Sequence, residues 1–192
     1  MSTFMKHTFP ALLFAVIFSG CSVVYTPKPI GEKPKNLTQE IAEWEGDWSN
    51  PEGDTFKIKV ADPEKGILQV AGIETKDKGF ELKKLTVYLR ESGGWSFASV
   101  KNDEIEGGGD ARAKDLYVWA RISRDGRQLI YWQPSGEKFT ELVKNGLLPG
   151  KIEDKSVLLG ELETKHMEAI TSGSNGVLFD WETPTVLRKI SK

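Results

Sequence analysis

The chain has 192 residues, and its 26 basic and 28 acidic side chains nearly cancel to a formal charge of −2, with Lys and Glu interleaved along most of its length. A nucleic-acid binder carries a basic stripe or a strongly basic domain, so no nucleic-acid partner is expected. One cysteine excludes an internal disulfide, and six tryptophans with nine phenylalanines favour an ordered aromatic core over a disordered chain.

Lys6 and His7 precede an apolar run over residues 8–20, after which the sequence turns polar and Pro-rich. At about 1.5 Å per helical residue this run falls short of the roughly 30 Å needed to cross a bilayer. Its layout is that of a secretory signal peptide over residues 1–20. Phe18-Ser19-Gly20-Cys21 resembles the bacterial lipobox. That resemblance implies cleavage before Cys21, acylation of its sulfur and new N-terminus, palmitate included, and a membrane as partner. Two or more acyl chains hold a protein stably on a bilayer. Ser22, where Asp retains related lipoproteins in the inner membrane, implies the outer membrane with the domain facing the periplasm. Residues 21–35, with Pro27, Pro29, Gly31 and Pro34, read as a lipidated N-terminus and extended tether reaching roughly 40 Å. Residues 36–192 are expected to form a single β-rich periplasmic domain.

Asn36 to Glu43 allows a short helical turn, and Trp44-Glu45-Gly46-Asp47-Trp48 leads into the first strand. Thr55 to Val60 alternates polar with apolar, which directs Phe56, Ile58 and Val60 inward. A turn at Asp62 to Gly66 returns the chain through Ile67 to Glu74. Phe80 to Arg90 is the next strand, with a bulge expected where Lys83-Lys84 interrupts the alternation. Trp95 to Val100, Leu116 to Ile122 and Gln128 to Trp132 follow, the last two joined by a hairpin signal at Asp125-Gly126. Ser135 is the expected N-cap of a helix over 136–145 that Gly146 ends. Val157 to Leu162 reads as a strand, Thr164 to Ile170 as a brief helix, and Val177 to Trp181 and Thr185 to Ile190 as the final strands. The expected fold is mainly β: an antiparallel meander closing into a barrel or a strongly curved sheet, with one or two short helices near the C-terminal third.

Gly46-Asp47-Trp48 resembles the opening signature of lipocalin-like, or calycin, barrels, and Thr185 to Ile190 is similar to their last strand. The resemblance implies that Arg188 packs over Trp48 and so joins the first and last strands. It also implies room for a small apolar ligand, which Trp95, Phe97, Trp119, Tyr131 and Trp132 would line. The favoured reading of those five side chains is that they simply fill the core. Fold alone does not decide function, and a structural or assembly partner in the cell envelope is the other expectation.

Reactive chemistry is sparse. His166 is the one histidine beyond the signal region and has no recognisable nucleophile around it, and there is no Gly-x-Ser-x-Gly elbow. Asp103, Glu104, Glu106 and Asp110 do not have the spacing of a standard calcium loop, and Gly107-Gly108-Gly109 lacks the lysine of a phosphate cradle. No metal, no cofactor and no catalytic residue is expected, and a hydrolase is the least favoured reading.

Overall fold

The computed structural model describes residues 23–76, 79–105 and 113–190, with the backbone alone for 73–76 and 79–81. Cys21, Ser22, Glu106 and the Gly107–Asp110 stretch lie outside the described residues. The strands are β1 (Val24–Thr26), β2 (Lys33–Pro34), β3 (Gly46–Ser49), β4 (Thr55–Asp62), β5 (Ile67–Lys76), β6 (Gly79–Ser92), β7 (Trp95–Lys101), β8 (Tyr117–Asp125), β9 (Gln128–Trp132), β10 (Gly150–Glu153), β11 (Ser156–Leu159) and β12 (Thr185–Lys189). Three helices accompany them: α1 (Ile41–Trp44), α2 (Gly136–Lys144) and α3 (Thr164–Thr171).

Among the described residues, eight strands close an antiparallel barrel. β3 to β9 pair in sequence as a meander, and β12 inserts between β9 and β3. The alternation in β4 works as the sequence predicts: Phe56, Ile58 and Val60 are buried, with Thr55, Lys57 and Lys59 on the solvent side. The β5–β6 ladder runs unbroken through Ala71↔Lys84 and Gly72↔Lys83, so the expected bulge is not there. The register shift falls instead between Val60 and Asp62, where β4 turns toward β5.

The barrel interior is filled. Trp44, Trp48, Phe56, Tyr131 and a set of Val, Leu and Ile side chains converge in it, and Ala98 and Ala120, paired across β7 and β8, leave room for the larger rings. Among the described residues, a cavity of about 30 Å³ lies at the centre, between Trp44, Leu89, Ala98, Leu129, Tyr131 and Leu187 among others. That is the space of a single water, and an apolar lining offers water no partner.

A second hydrophobic layer covers the outside of the wall formed by β7 and β8. Phe97 and Trp119 point outward into it and meet Phe139 and Leu142 of α2, Met167 and Ile170 of α3, Val157 and Leu159 of β11, and Leu178 and Phe179. β7 and β8 are therefore buried on both faces along much of their length. Such strands read as continuous apolar runs, in which alternation cannot tell inside from outside.

The segment expected as a tether belongs to this layer. β1 pairs antiparallel with β8 through Tyr25↔Val118 and Thr26↔Tyr117, and parallel with β11 through Val24↔Val157. Val24, Tyr25 and Ile30 are each 2% exposed, and β2 pairs with β6. Pro27 and Pro29 are compatible with this course because they stand outside the short paired stretch, where no ladder donor is required. Two further expectations change. Residues 177–181 form no strand and make one backbone bridge, Pro134↔Phe179, with consecutive Leu178 and Phe179 both buried rather than alternating. The expected helix from Thr164 is present as α3, capped by Glu163 and ending at Thr171 rather than Ile170.

Candidate functional site

The aromatic residues singled out from the sequence separate into two places. Tyr131 faces the barrel interior, whereas Trp95, Phe97, Trp119 and Trp132 all belong to the outer layer. A lumen lined by all five is thus overturned: Trp119 stands opposite Ser99, and its in-sheet neighbours Val118 and Ala120 take the inward phase.

In the outer layer the four join Trp181, Phe139 and Phe179 in one stack. Trp119 lies edge to face with Phe139 at 5.4 Å and with Phe179 at 5.9 Å between ring centroids. Trp95 meets Phe179 at 5.6 Å, and Trp132 meets Trp181 at 4.9 Å. The deep rings are fully covered, but Trp95, Trp132 and Trp181 at the rim remain partly exposed.

At that rim the stack holds a cation. The Arg121 guanidinium carbon lies 4.1 Å from the Trp95 ring centroid, 4.4 Å from Trp181 and 5.1 Å from Trp132. The sheet sets this up: Arg121 pairs with Trp132 on β9 and with Phe97 on β7, and Trp95 is two residues further along β7 on the same face. Trp181 arrives from the irregular segment that follows Phe179. Each indole face stabilises the cation by about 0.5–2 kcal/mol. Burial of Arg121 opposes this and lowers its pKa below the usual arginine value.

Among the described residues no carboxylate lies within ion-pair distance of Arg121 and no carbonyl accepts from it. Its nitrogens are not among the buried polar atoms that lack a partner, so the edge of the guanidinium reaches water. Among the described residues, the guanidinium is held by three indoles and meets no acceptor.

The barrel-closing contact also differs from the expected one. Period two along β12 turns Leu187 inward and Arg188 outward, where it is exposed opposite Ser49. Lys189 is the cation at Trp48, with Nζ 5.7 Å from the ring, and it donates to the α1 carbonyls of Ala42 at 2.7 Å and Glu43 at 3.2 Å. A groove of about 800 Å³ runs beside this end, with Lys57, Lys59, Arg124 and Arg127 along it. Arg124 there is paired with Glu43.

His166 has a local task. The backbone N–H of Glu163 donates to its Nδ1 at 2.9 Å, and the Glu163 side chain caps the helix in return, forming a capping box. Asp103 pairs with Lys101 at 3.1 Å, and the Glu104 carboxylate accepts from the Thr86 amide.

Sequence reasoning missed Arg121 and Trp181. The first was within reach: a two-residue turn at Gly126-Arg127 sets Asp125 opposite Gln128, and counting back along both strands sets Arg121 opposite Trp132. Trp181 gave no such signal, because no regular element carries it. No protein-family model, curated protein or solved structure matches this chain.

Proposed function

We propose that the chain is a bacterial lipoprotein, acylated at Cys21 and held at the outer membrane with its barrel facing the periplasm, and that the barrel is a non-catalytic binding or assembly domain that works through its outer surface. The observation that carries the second half is the filled interior, whose central cavity of about 30 Å³ is far smaller than the several hundred cubic ångströms of ordinary ligand pockets. This favours an envelope partner or surface ligand over an apolar molecule carried in the lumen. The anchor rests on the signal-like run and on Phe18-Ser19-Gly20-Cys21.

The early start of the fold refines that reading. Three residue steps separate Cys21 from Val24, the first residue of β1, and a chain spans at most about 3.6 Å per step. An acylated Cys21 would hold the barrel within roughly 11 Å of its attachment point rather than on a long spacer.

Labelling of the full chain with radioactive palmitate, followed by membrane fractionation, tests the anchor. The wild type should carry label and sediment with outer membranes, and Cys21→Ser should do neither; a Cys21→Ser chain that stays with the membrane overturns it. Native mass spectrometry of the full chain released from detergent tests the lumen. A bare protein mass apart from its acyl chains is expected, and a retained apolar molecule would restore the carrier reading.

A further inference from the structure

We infer that Arg121, held in the corner formed by Trp95, Trp181 and Trp132, is an oxyanion-binding fork on the outside of the barrel, built for a carboxylate or phosphate monoester attached to a ring-shaped body. The inference deepens the surface-binding half of the proposal above and does not depend on the anchor.

Three features of the site lead to it. First, the guanidinium is fixed. Rings on opposite strands and on the 177–181 segment hold it at 4.1 to 5.1 Å, so the side-chain entropy that a surface arginine loses on binding has already been lost on folding. Second, no acidic or carbonyl group among the described residues neutralises it, whereas Lys189 has the α1 carbonyls, Arg124 has Glu43, and Arg90 donates to Gly31 and Glu32 oxygens at 2.9 Å. Among the described residues Arg121 has three indole rings as neighbours and no acceptor for its N–H groups, which are left to water. Third, the indoles around it are partly exposed, so a bound anion would have apolar surface beside it.

The chemistry of the occupant follows. A guanidinium whose N–H groups reach water matches the two oxygens of a carboxylate or phosphate bidentately. The flat indole surfaces around it favour a ligand whose body lies along a ring rather than a small bare ion. A purely structural clamp explains the three ring contacts equally well, but it predicts no selectivity among ligands.

The experiment uses the full chain in detergent micelles, titrated with glucuronate, glucose 6-phosphate, glucose and acetate. Binding is read from the Arg121 Nε–Hε resonance, assigned by its loss in Arg121→Lys, and from tryptophan fluorescence. At least one of the two anionic sugars should shift that resonance and bind about tenfold or more tightly than glucose and acetate. The tighter of the two identifies the oxyanion. Arg121→Lys, which keeps the charge but loses the fork, should weaken that binding about tenfold while circular dichroism confirms the fold. An Arg121 resonance that neither anionic sugar moves overturns the inference, as does acetate or glucose binding equally well, or Arg121→Lys binding unchanged. Loss of palmitate label from the chain would refute the anchor and leave this result standing.

Discussion

Tyr25→Ala distinguishes a folded β1 from a tether. Tyr25 is 2% exposed, packs into the barrel-side cluster, and lies between β8 and β11 through its pairs with Val118 and Leu158. An aromatic side chain buries about 150–250 Å², which at about 25 cal/mol per Å² sets an upper bound near 4–6 kcal/mol. Aromatic-to-alanine changes in cores cost about 3–5 kcal/mol, which agrees. With a urea dependence of about 2 kcal/mol per molar, the unfolding midpoint should fall by about 2 M. Tyr25→Phe keeps the ring and should cost only about 1 kcal/mol for the hydroxyl. Urea unfolding of both variants, followed by tryptophan fluorescence, gives the comparison. A Tyr25→Ala midpoint within about 0.5 kcal/mol of wild type, the effect expected in an exposed tether, would refute the placement of β1.

Gly66 sits at φ +63°, and a Cβ there would come within 2.6 Å of the carbonyl oxygens of Leu89 and Lys35. Gly66→Ala should therefore cost at least about 1–2 kcal/mol and lower the melting temperature by several degrees. Burial raises the Tyr131 pKa from 10.0 to about 12. Above pH 10 the unfolded chain loses this proton while the folded chain keeps it, so stability falls from pH 10 to about 12, by up to about 2.7 kcal/mol. In Tyr131→Phe that part of the alkaline loss should be absent, as urea unfolding at pH 8 and pH 11 would show. For α3, His166→Ala removes the capping-box acceptor of the Glu163 amide and should cost about 1 kcal/mol, whereas His166→Gln, a normal residue at that position, should retain most of it in the same unfolding assay.

The barrel was legible where one face of a strand meets water. β4 alternates cleanly, and its inward residues follow from the sequence alone. β7 and β8 are the opposite case: the pattern reports burial but not direction, so Phe97 and Trp119 read correctly as core while the face of the sheet they fill stayed undecided. β1 was hidden by composition. Prolines at 27 and 29 and lysines at 28 and 33 suggest an extended solvated chain, while the Val24 and Tyr25 that pack it are only two residues. β10 was missed because Gly150, Lys151 and Ile152 are exposed on an edge strand and show no apolar period. The Lys189 contact with Trp48 depended on a one-residue choice of phase in β12. The resemblance favoured Arg188, and the register placed Lys189 there.

The two proposals meet on β8. Its early residues Tyr117 and Val118 pair with β1, its later residues Arg121 to Asp125 pair with β9, and the change of partner occurs between them. β1 runs antiparallel to β8, so stepping back from Tyr25 toward the N-terminus moves from the level of Val118 toward that of Arg121. Val24 then stands level with Trp119, two residues or about 7 Å along the strand from Arg121. With Cys21 at most about 11 Å from Val24, an acylated chain would carry the Arg121 fork within roughly 20 Å of its attachment point. On that geometry a ligand would reach the fork beside the headgroup layer, where a long spacer would have placed it well into the periplasm. The location of β1 would thus tie the proposed anchor to what the ring-held Arg121 can meet.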